Sequence, residues 1–594
     1  MKNFFKLVFA SMLGTFLAVS AGFFFLMMIV AALSTFGEKQ NGWSEALGSI
    51  KDNSVMAITF EGPIVDHLER SDFFESLFRQ DAPPAIGLFE ITETLRTAAG
   101  DDRIKGLFLN LKHVRGGVAN VEALRREIVH FRDSGKFVLA YSETYDEISY
   151  VLATAADEII LYPRGFFEWD GLFAKLSFFK NTLKKIDVTP QVFRVGKYKS
   201  AIEPFINDKM SPESREQLQA IIETLWDQIV SYAADRTKKT GNELDVLAND
   251  LSVLYGKQAF ESGFVNFLSS FEDVERKLVE LTNAKDKPEY VGWRSYYKQH
   301  VENKYAHNSD HIALVFAEGE IISGRGDRDQ ISSESLAPLL RKLAQDEKVK
   351  AVVLRVNSPG GSALASDVIW TSTQHLKDKK PLVTSFGNVA ASGGYYMSAG
   401  SQYIFSESTT ITGSIGVFGL SFATQKLWND TFGVTFDTEK SHRFADMESL
   451  VRPLDPAESQ KMQEMVERVY EDFLNVVTLG RKSIGGRDQV HELAQGRVWI
   501  GKQAKEIGLV DELGGMHQAL DKASELANFA DYEVAVYPKP KNPFEDFIMQ
   551  FTDVSLKFVK AWVPQSLIPL FDKDLKETPE KLIKARMPLD IVIH

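Results

Sequence analysis

The sequence predicts an α/β protein in which one unit with a mainly parallel sheet is written twice in tandem, behind a single N-terminal transmembrane helix. Three observations predict it. Blocks of text recur at a near-constant spacing, short β-branched runs alternate with helical stretches inside each block, and the chain opens on a long uncharged apolar run.

The opening run comes first. Lys2 and Lys6 precede Leu7 to Ser34, 28 residues without a charge. About 20 apolar residues span a bilayer, whereas the core of a cleaved signal peptide is usually about 7–15. The run therefore predicts an uncleaved anchor over residues 1–36. The two lysines would hold the short end in the cytoplasm and leave residues from about 40 onward outside. A membrane is thus one expected partner. Composition excludes other classes. The net charge of -13, with no long Lys/Arg block, argues against a nucleic-acid partner. The absence of cysteine excludes a thiol nucleophile, a disulfide and a thiolate metal site. No metal or cofactor is expected.

At 594 residues the chain should hold two to four domains, and its repeats say which. Val55-Met56-Ala57-Ile58-Thr59-Phe60 with Glu61-Gly62-Pro63-Ile64 returns as Ile312-Ala313-Leu314-Val315-Phe316-Ala317 with Glu318-Gly319-Glu320-Ile321. Gly106 to Leu111 runs into Gly116-Gly117, as Ala351 to Val356 runs into Gly360-Gly361. Ser211-Pro212 and Asp455-Pro456 each pair a capping residue with proline at the first helical position. Gly256-Lys257-Gln258-Ala259 matches Gly501-Lys502-Gln503-Ala504. The offset is 257 at Glu61 and Glu318, and 244 or 245 at the later anchors. Such agreement predicts a duplicated domain, with repeats at about 54–283 and 310–530 and a C-terminal extension over 531–594. Within a repeat, Val349 to Val356 predicts a strand, Ser366 to Leu376 a helix, and Pro381 to Ser385 a strand. That alternation argues for βαβ units, and continuous apolar runs suit strands buried on both faces. Met462, Val466, Tyr470 and Phe473 at helical spacing predict a core-facing helix from Asp455 to Leu479. The aromatic tail from Asn542 to Trp562 fits ordinary packing, a subunit contact or a membrane surface.

The candidate chemistry sits in Thr412-Gly413-Ser414-Ile415-Gly416. No charged residue or histidine occurs from Ser408 through Gln425, so Ser414 is either a small residue in a glycine-rich turn or a nucleophile whose base comes from elsewhere. The first repeat has Asp170 at the matching place. Two kinds of base are available, histidine and lysine. His442 sits in the charged run Glu439-Lys440-Ser441-His442-Arg443, which reads as a solvated loop, and His375 lies in no glycine-bounded segment. Lys199, in Gly196-Lys197-Tyr198-Lys199-Ser200-Ala201, would become a base if burial lowered its pKa. Its counterpart in the second repeat is Arg443, which stays protonated. The first repeat lacks the serine and the second lacks the lysine, so one complete site needs both.

Asn357-Ser358-Pro359-Gly360-Gly361, Ala390-Ala391-Ser392-Gly393-Gly394-Tyr395-Tyr396, Thr412 to Gly416, and Tyr198-Lys199-Ser200-Ala201 with Glu203-Pro204-Phe205 together resemble the signal peptide peptidase A (protease IV) family, in its long, membrane-anchored, tandem-repeat form. The resemblance implies tandem ClpP/crotonase-like domains and a serine endopeptidase with a Ser-Lys dyad, Ser414 as nucleophile and Lys199 as general base. It implies a homo-oligomer, a tetramer, in the bacterial cytoplasmic membrane with both repeats on the extracytoplasmic side. Its substrates would be signal peptides left in the membrane after release from exported proteins. The oxyanion would then need backbone amides. Gly361, in a Pro-Gly-Gly turn, and Ile415, beside the nucleophile, are the candidate donors. Ser200 and Ser441 are candidates for a third hydroxyl that orients the lysine. Ser392 is a rival nucleophile, read as a packing or supporting residue because no histidine lies between it and His442.

Two other functions compete. A crotonase-like acyl-CoA enzyme would share the Gly-Gly turn but would need an acidic residue near it and a cytoplasmic address. A non-catalytic membrane scaffold is suggested by the first repeat, which has no serine at the matching place.

Overall fold

The computed structural model describes residues 14, 50–68, 84–302, 309–326, 330–539 and 583–587. The expected N-terminal anchor, apart from Gly14, and the aromatic tail from Asn542 to Trp562 lie outside the described residues. No helix among the described residues is long and apolar enough to cross a membrane.

The repeat in the text is a repeat in the fold. The first sheet runs, in spatial order, Phe267–Leu268, Glu158–Phe167, Phe137–Tyr145, Ile104–Asn110, Ser54–Thr59 and Tyr290–Gly292, with every pairing parallel. The second repeats that order with Glu512–Leu513, Tyr403–Ser406, Leu382–Ala391, Val349–Ser358, His311–Glu318 and Glu533–Tyr537, again parallel. Nearly continuous burial of Val349–Ser358 explains its unbroken apolar text, because helices cover both faces of a parallel sheet. Each repeat packs a large core of its own.

The predicted elements hold, with shifted edges. The helix expected from Ser366 starts earlier, at Ala363, because the Ser362 hydroxyl accepts the Ala365 N–H at 3.2 Å and caps it. The strand expected to end at Ser385 continues to Ala391, because Leu382–Ala391 pairs first with Tyr403–Ser406 and then with Ile411–Gly413. Helices Pro212–Thr237 and Pro456–Gly480 open as the text predicts, Ser211 accepting from Ser214 N–H at 3.1 Å and Asp455 from Glu458 N–H at 2.8 Å.

A third sheet joins the repeats. Strand Thr189–Val195 of the first lies antiparallel to Val417–Ala423 of the second, Val195 facing Val417 and Thr189 facing Ala423. Polar contacts fix how the repeats meet. Arg126 grips Glu407 with two bonds of 2.7 Å, and Arg355 reaches Asp66 at 2.8 Å where both side chains are 1% exposed. Removing one partner of such a buried pair typically costs about 3–5 kcal/mol, because the other charge stays buried alone.

Candidate active site

The crossing strand carries Lys199 into the second repeat. After Val195 the chain turns at Gly196, with φ +103°. Tyr198 N–H then donates to Gln495 carbonyl at 3.0 Å. Glycines clear the path of the lysine stem. A Cβ on Gly416 would sit 2.7 Å from the Gly496 backbone and 3.3 Å from Lys199 Cδ, and one on Gly496 would sit 2.7 Å from the Lys199 backbone.

Ser414 follows strand Ile411–Gly413 directly and precedes Val417–Ala423. Its φ is +52°, a left-handed conformation unusual for a non-glycine residue. Its N–H donates to Arg497 carbonyl at 2.7 Å, which holds that strained backbone in place. Ser392 is held in a similar way, at φ +55°, with its N–H donating to Gly413 carbonyl at 2.8 Å.

The three side chains meet. Lys199 Nζ lies 3.0 Å from Ser414 Oγ, 3.0 Å from Ser414 carbonyl oxygen and 2.8 Å from Ser392 Oγ. All three residues are 0% exposed. Burial pushes the Lys199 amine well below its ordinary pKa, since desolvation penalises the ammonium. A neutral amine can accept a proton from a hydroxyl it touches, so this arrangement can generate an alkoxide.

The other candidates are placed as follows. Gly361 lies on strand Gly360–Ser362, paired with Ile321 so closely that a Cβ would sit 2.0 Å from Ile321 oxygen. Ser358 Oγ anchors the preceding turn by accepting Gly360 N–H at 3.1 Å. Ile415 is buried, and its carbonyl accepts Gly496 N–H at 2.7 Å. His375 and His442 are exposed, with His442 Nδ1 3.0 Å from Ser441 Oγ, away from the lysine. Ser200 is buried with a hydroxyl that has no partner among the described residues. The hydroxyl that contacts the amine beside Ser414 is therefore that of Ser392, not Ser200 or Ser441.

The first repeat shows what its matching place became. Tyr150 hydroxyl donates to Phe264 carbonyl at 3.0 Å and Tyr395 hydroxyl to Leu509 carbonyl at 2.8 Å, the same bond at an offset of 245. That register sets Glu147 where the second repeat has Ser392. Its carboxylate accepts the N–H groups of Asp170 and Gly171 at 3.0 and 3.1 Å, and burial pushes it up to about 7. Sequence reasoning missed Glu147 and Gly496. Gly496 had a signal, being a glycine in one repeat only: at the same offset the first repeat has Leu251, also at positive φ.

Peptidase family S49 matches the chain twice, over residues 130–285 and 374–530, and Clp protease matches residues 303–411. Protease 4 of Haemophilus influenzae is 35% identical over 584 residues, covering 95% of this chain and 90% of its own. Protease 4 of Salmonella typhi is 32% identical over 561 residues, covering 92% and 89%. The chloroplastic serine protease SPPA of Arabidopsis thaliana is 31% identical over 488 residues, covering 81% and 70%.

Proposed function

The chain belongs to peptidase family S49, and from that premise we propose that Lys199 and Ser414 form a Ser-Lys dyad that degrades signal peptides. The observation that carries this reading is the 3.0 Å approach of Lys199 Nζ to Ser414 Oγ in a fully buried site. Neutral Lys199 takes the Ser414 proton, and the alkoxide attacks a peptide carbonyl. The amides of Gly361 and Ile415 stabilise the oxyanion. Lys199, now an ammonium, returns the proton to the leaving amine, and water then hydrolyses the acyl-enzyme by the same route. Ser392 holds the amine in line. Ser414, rather than Ser392, is assigned the attack because it leads directly into Val417–Ala423, the strand that faces the Gly360–Ser362 side of the third sheet.

The uncharged run from Leu7 to Ser34 supports a membrane anchor and an apolar substrate within its reach. The repeat itself supports assembly. At the offset of 244, residues 433–439 of the second repeat match the crossing strand Thr189–Val195 of the first, yet they form no strand among the described residues. Val434 and Phe436 lie exposed there, with exposed Phe432 just before them. The same crossing, made onto residues 173–179 of a second copy, would cover them and link chains head to tail, a contact that can close into a ring.

In full-length protein, Ser414→Ala and Lys199→Ala should each cut hydrolysis of an apolar peptide ester by about 10³-fold or more. Full activity in either variant sinks the dyad. Val434→Lys combined with Phe436→Lys should lower the assembled mass, and an unchanged mass would rule out this contact.

A further inference from the structure

Directly behind the first repeat's Gly116-Gly117 turn, helix Val118–Asp133 reaches across and holds the second repeat at three points. Asn120 N–H donates to Asn388 Oδ1 at 2.9 Å, and its side-chain oxygen accepts from Arg355 at 3.1 Å. Glu122 accepts the Ser408 hydroxyl at 2.6 Å, the Thr409 hydroxyl at 2.9 Å and the Thr409 N–H at 3.3 Å. Arg126 grips Glu407 through both terminal nitrogens. These targets share one property. Asn388 lies on Leu382–Ala391, the strand that ends beside Ser392. Residues 407–410 form the turn that feeds Ile411–Gly413 and then Ser414.

The turn divides its side chains between the two repeats. Thr410 is tied inside the second, its hydroxyl donating to Gly387 carbonyl at 2.8 Å and accepting Glu407 N–H at 3.1 Å. Ser408 and Thr409 are tied to Glu122 in the first. The duplication shows that this bridge is not inherited from the common unit. At the offset of 244, the turn corresponds to Pro163-Arg164-Gly165-Phe166, which the first repeat runs straight through as part of strand Glu158–Phe167. Asn120, Glu122 and Arg126 correspond to Leu364, Ser366 and Trp370, none of them charged. The carboxyl occurs in one repeat and the turn it holds in the other, the same division as between Lys199 and Ser414.

We propose that Glu122 is a positioning residue for the reaction: from the first repeat it fixes the turn at 407–410 and thereby sets where Ser414 stands against Lys199. The proposal rests on Lys199 and Ser414 being the reacting pair. Ser414 sits at φ +52°, a conformation that persists only where its surroundings over-determine it. The Arg497 carbonyl holds its N–H directly, and the turn fixes the strand that delivers it. Glu122 touches neither Lys199 nor Ser414, so it acts through that strand. A displacement of about 1 Å at a reacting atom costs about 10²-fold in rate, and a partial loosening of the turn should cost a fraction of that.

The test uses full-length protein and an apolar peptide ester. Glu122→Ala should lower kcat by about 10- to 30-fold and leave KM within about twofold. Glu122→Gln should restore kcat to within about threefold of the natural chain. Its amide oxygen can accept from Thr409 and its NH₂ can donate to the Ser408 hydroxyl, and burial and the neighbouring Glu407 already push the Glu122 carboxyl up toward its neutral form. Ser408→Ala combined with Thr409→Val attacks the same contact from the other repeat and should lower kcat by about as much. Adding Glu122→Ala to that pair should cost no more than about twofold further, because residues that act through one contact are not additive. A lowered melting temperature with kcat unchanged in Glu122→Ala, or full additivity in the combined variant, overturns the proposal and leaves Glu122 as a tie between repeats. A fluorophosphonate probe keeps the two readings apart. Labelling of Ser414 together with an unchanged kcat in Glu122→Ala sinks the positioning role alone, whereas labelling at Ser392 instead sinks the dyad on which it rests.

Discussion

Lys199 Nζ lies 3.0 Å from Ser414 Oγ although 215 residues separate them in the chain. Neither repeat holds both groups, and the pairing of Thr189–Val195 with Val417–Ala423 spans the gap. The amine arrives without a carboxylate among its close partners, and burial holds its pKa well below the ordinary lysine value.

That depression sets the pH dependence. If Lys199 is the base of the proposed dyad, the active form is the neutral amine, so kcat/KM should rise with pH through one ionisation below the ordinary lysine range near 10.5 and be lost on acidification. Lys199→Arg should be inactive at every pH, since a guanidinium does not give up its proton. A rate profile flat between about pH 6 and 9 would count against a lysine base.

Ser392 offers a second test, because its Oγ is as near the amine as that of Ser414. If it only orients Lys199, Ser392→Ala should lower kcat by about 10- to 100-fold, leave KM nearly unchanged and keep probe labelling at Ser414. The acidic limb of the pH profile should also move, because the amine loses a hydrogen-bond partner. A loss as deep as that of Ser414→Ala, with labelling abolished, would make Ser392 the nucleophile.

Much of this was legible in the text because duplication makes the chain its own comparison. The near-constant offset gave the two sheets, and the complementary placement of Lys199 and Ser414 pointed to one shared site. Geometry that no local pattern encodes was not legible. Ser392 reaches the amine only because Leu382–Ala391 runs on to pair with Ile411–Gly413, and periodicity does not report where a strand stops. Residues 583–587 read as part of an extension, since their strand partners lie more than 150 residues away.

Gly496 separates conformational from steric demands. Its φ is +78°, and a Cβ there would strike the Lys199 backbone at 2.7 Å. Gly135 has φ +91° with open space around it. Both Gly→Ala changes should cost stability by about 1 kcal/mol through backbone strain. Gly496→Ala alone should also displace the lysine and lower kcat by about 10²-fold, since misplacement of about 1 Å is that costly. Equal activity in the two variants, measured alongside their melting temperatures, would show that the glycine does not position Lys199.

The first repeat's Glu147 makes a prediction about stability. It is buried, accepts the amides of Asp170 and Gly171, and is pushed up to about 7 from an ordinary 4.5. A raised carboxyl pKa means that the folded state holds a proton which the unfolded state has lost. Stability should therefore fall as pH rises from about 4.5 through about 7 and stay lowered above that. Glu147→Gln keeps an oxygen acceptor for the two amides and carries no charge to bury. Relative to the natural chain, its melting temperature should be similar near pH 4.5 and rise progressively toward pH 8, by the equivalent of about 2–3 kcal/mol. Peptide-ester hydrolysis should stay within about twofold, because the carboxyl lies at the first repeat's counterpart of the site rather than beside Lys199. A melting difference that does not change between pH 5 and 8 would show that Glu147 is already ionised in the folded protein across that range.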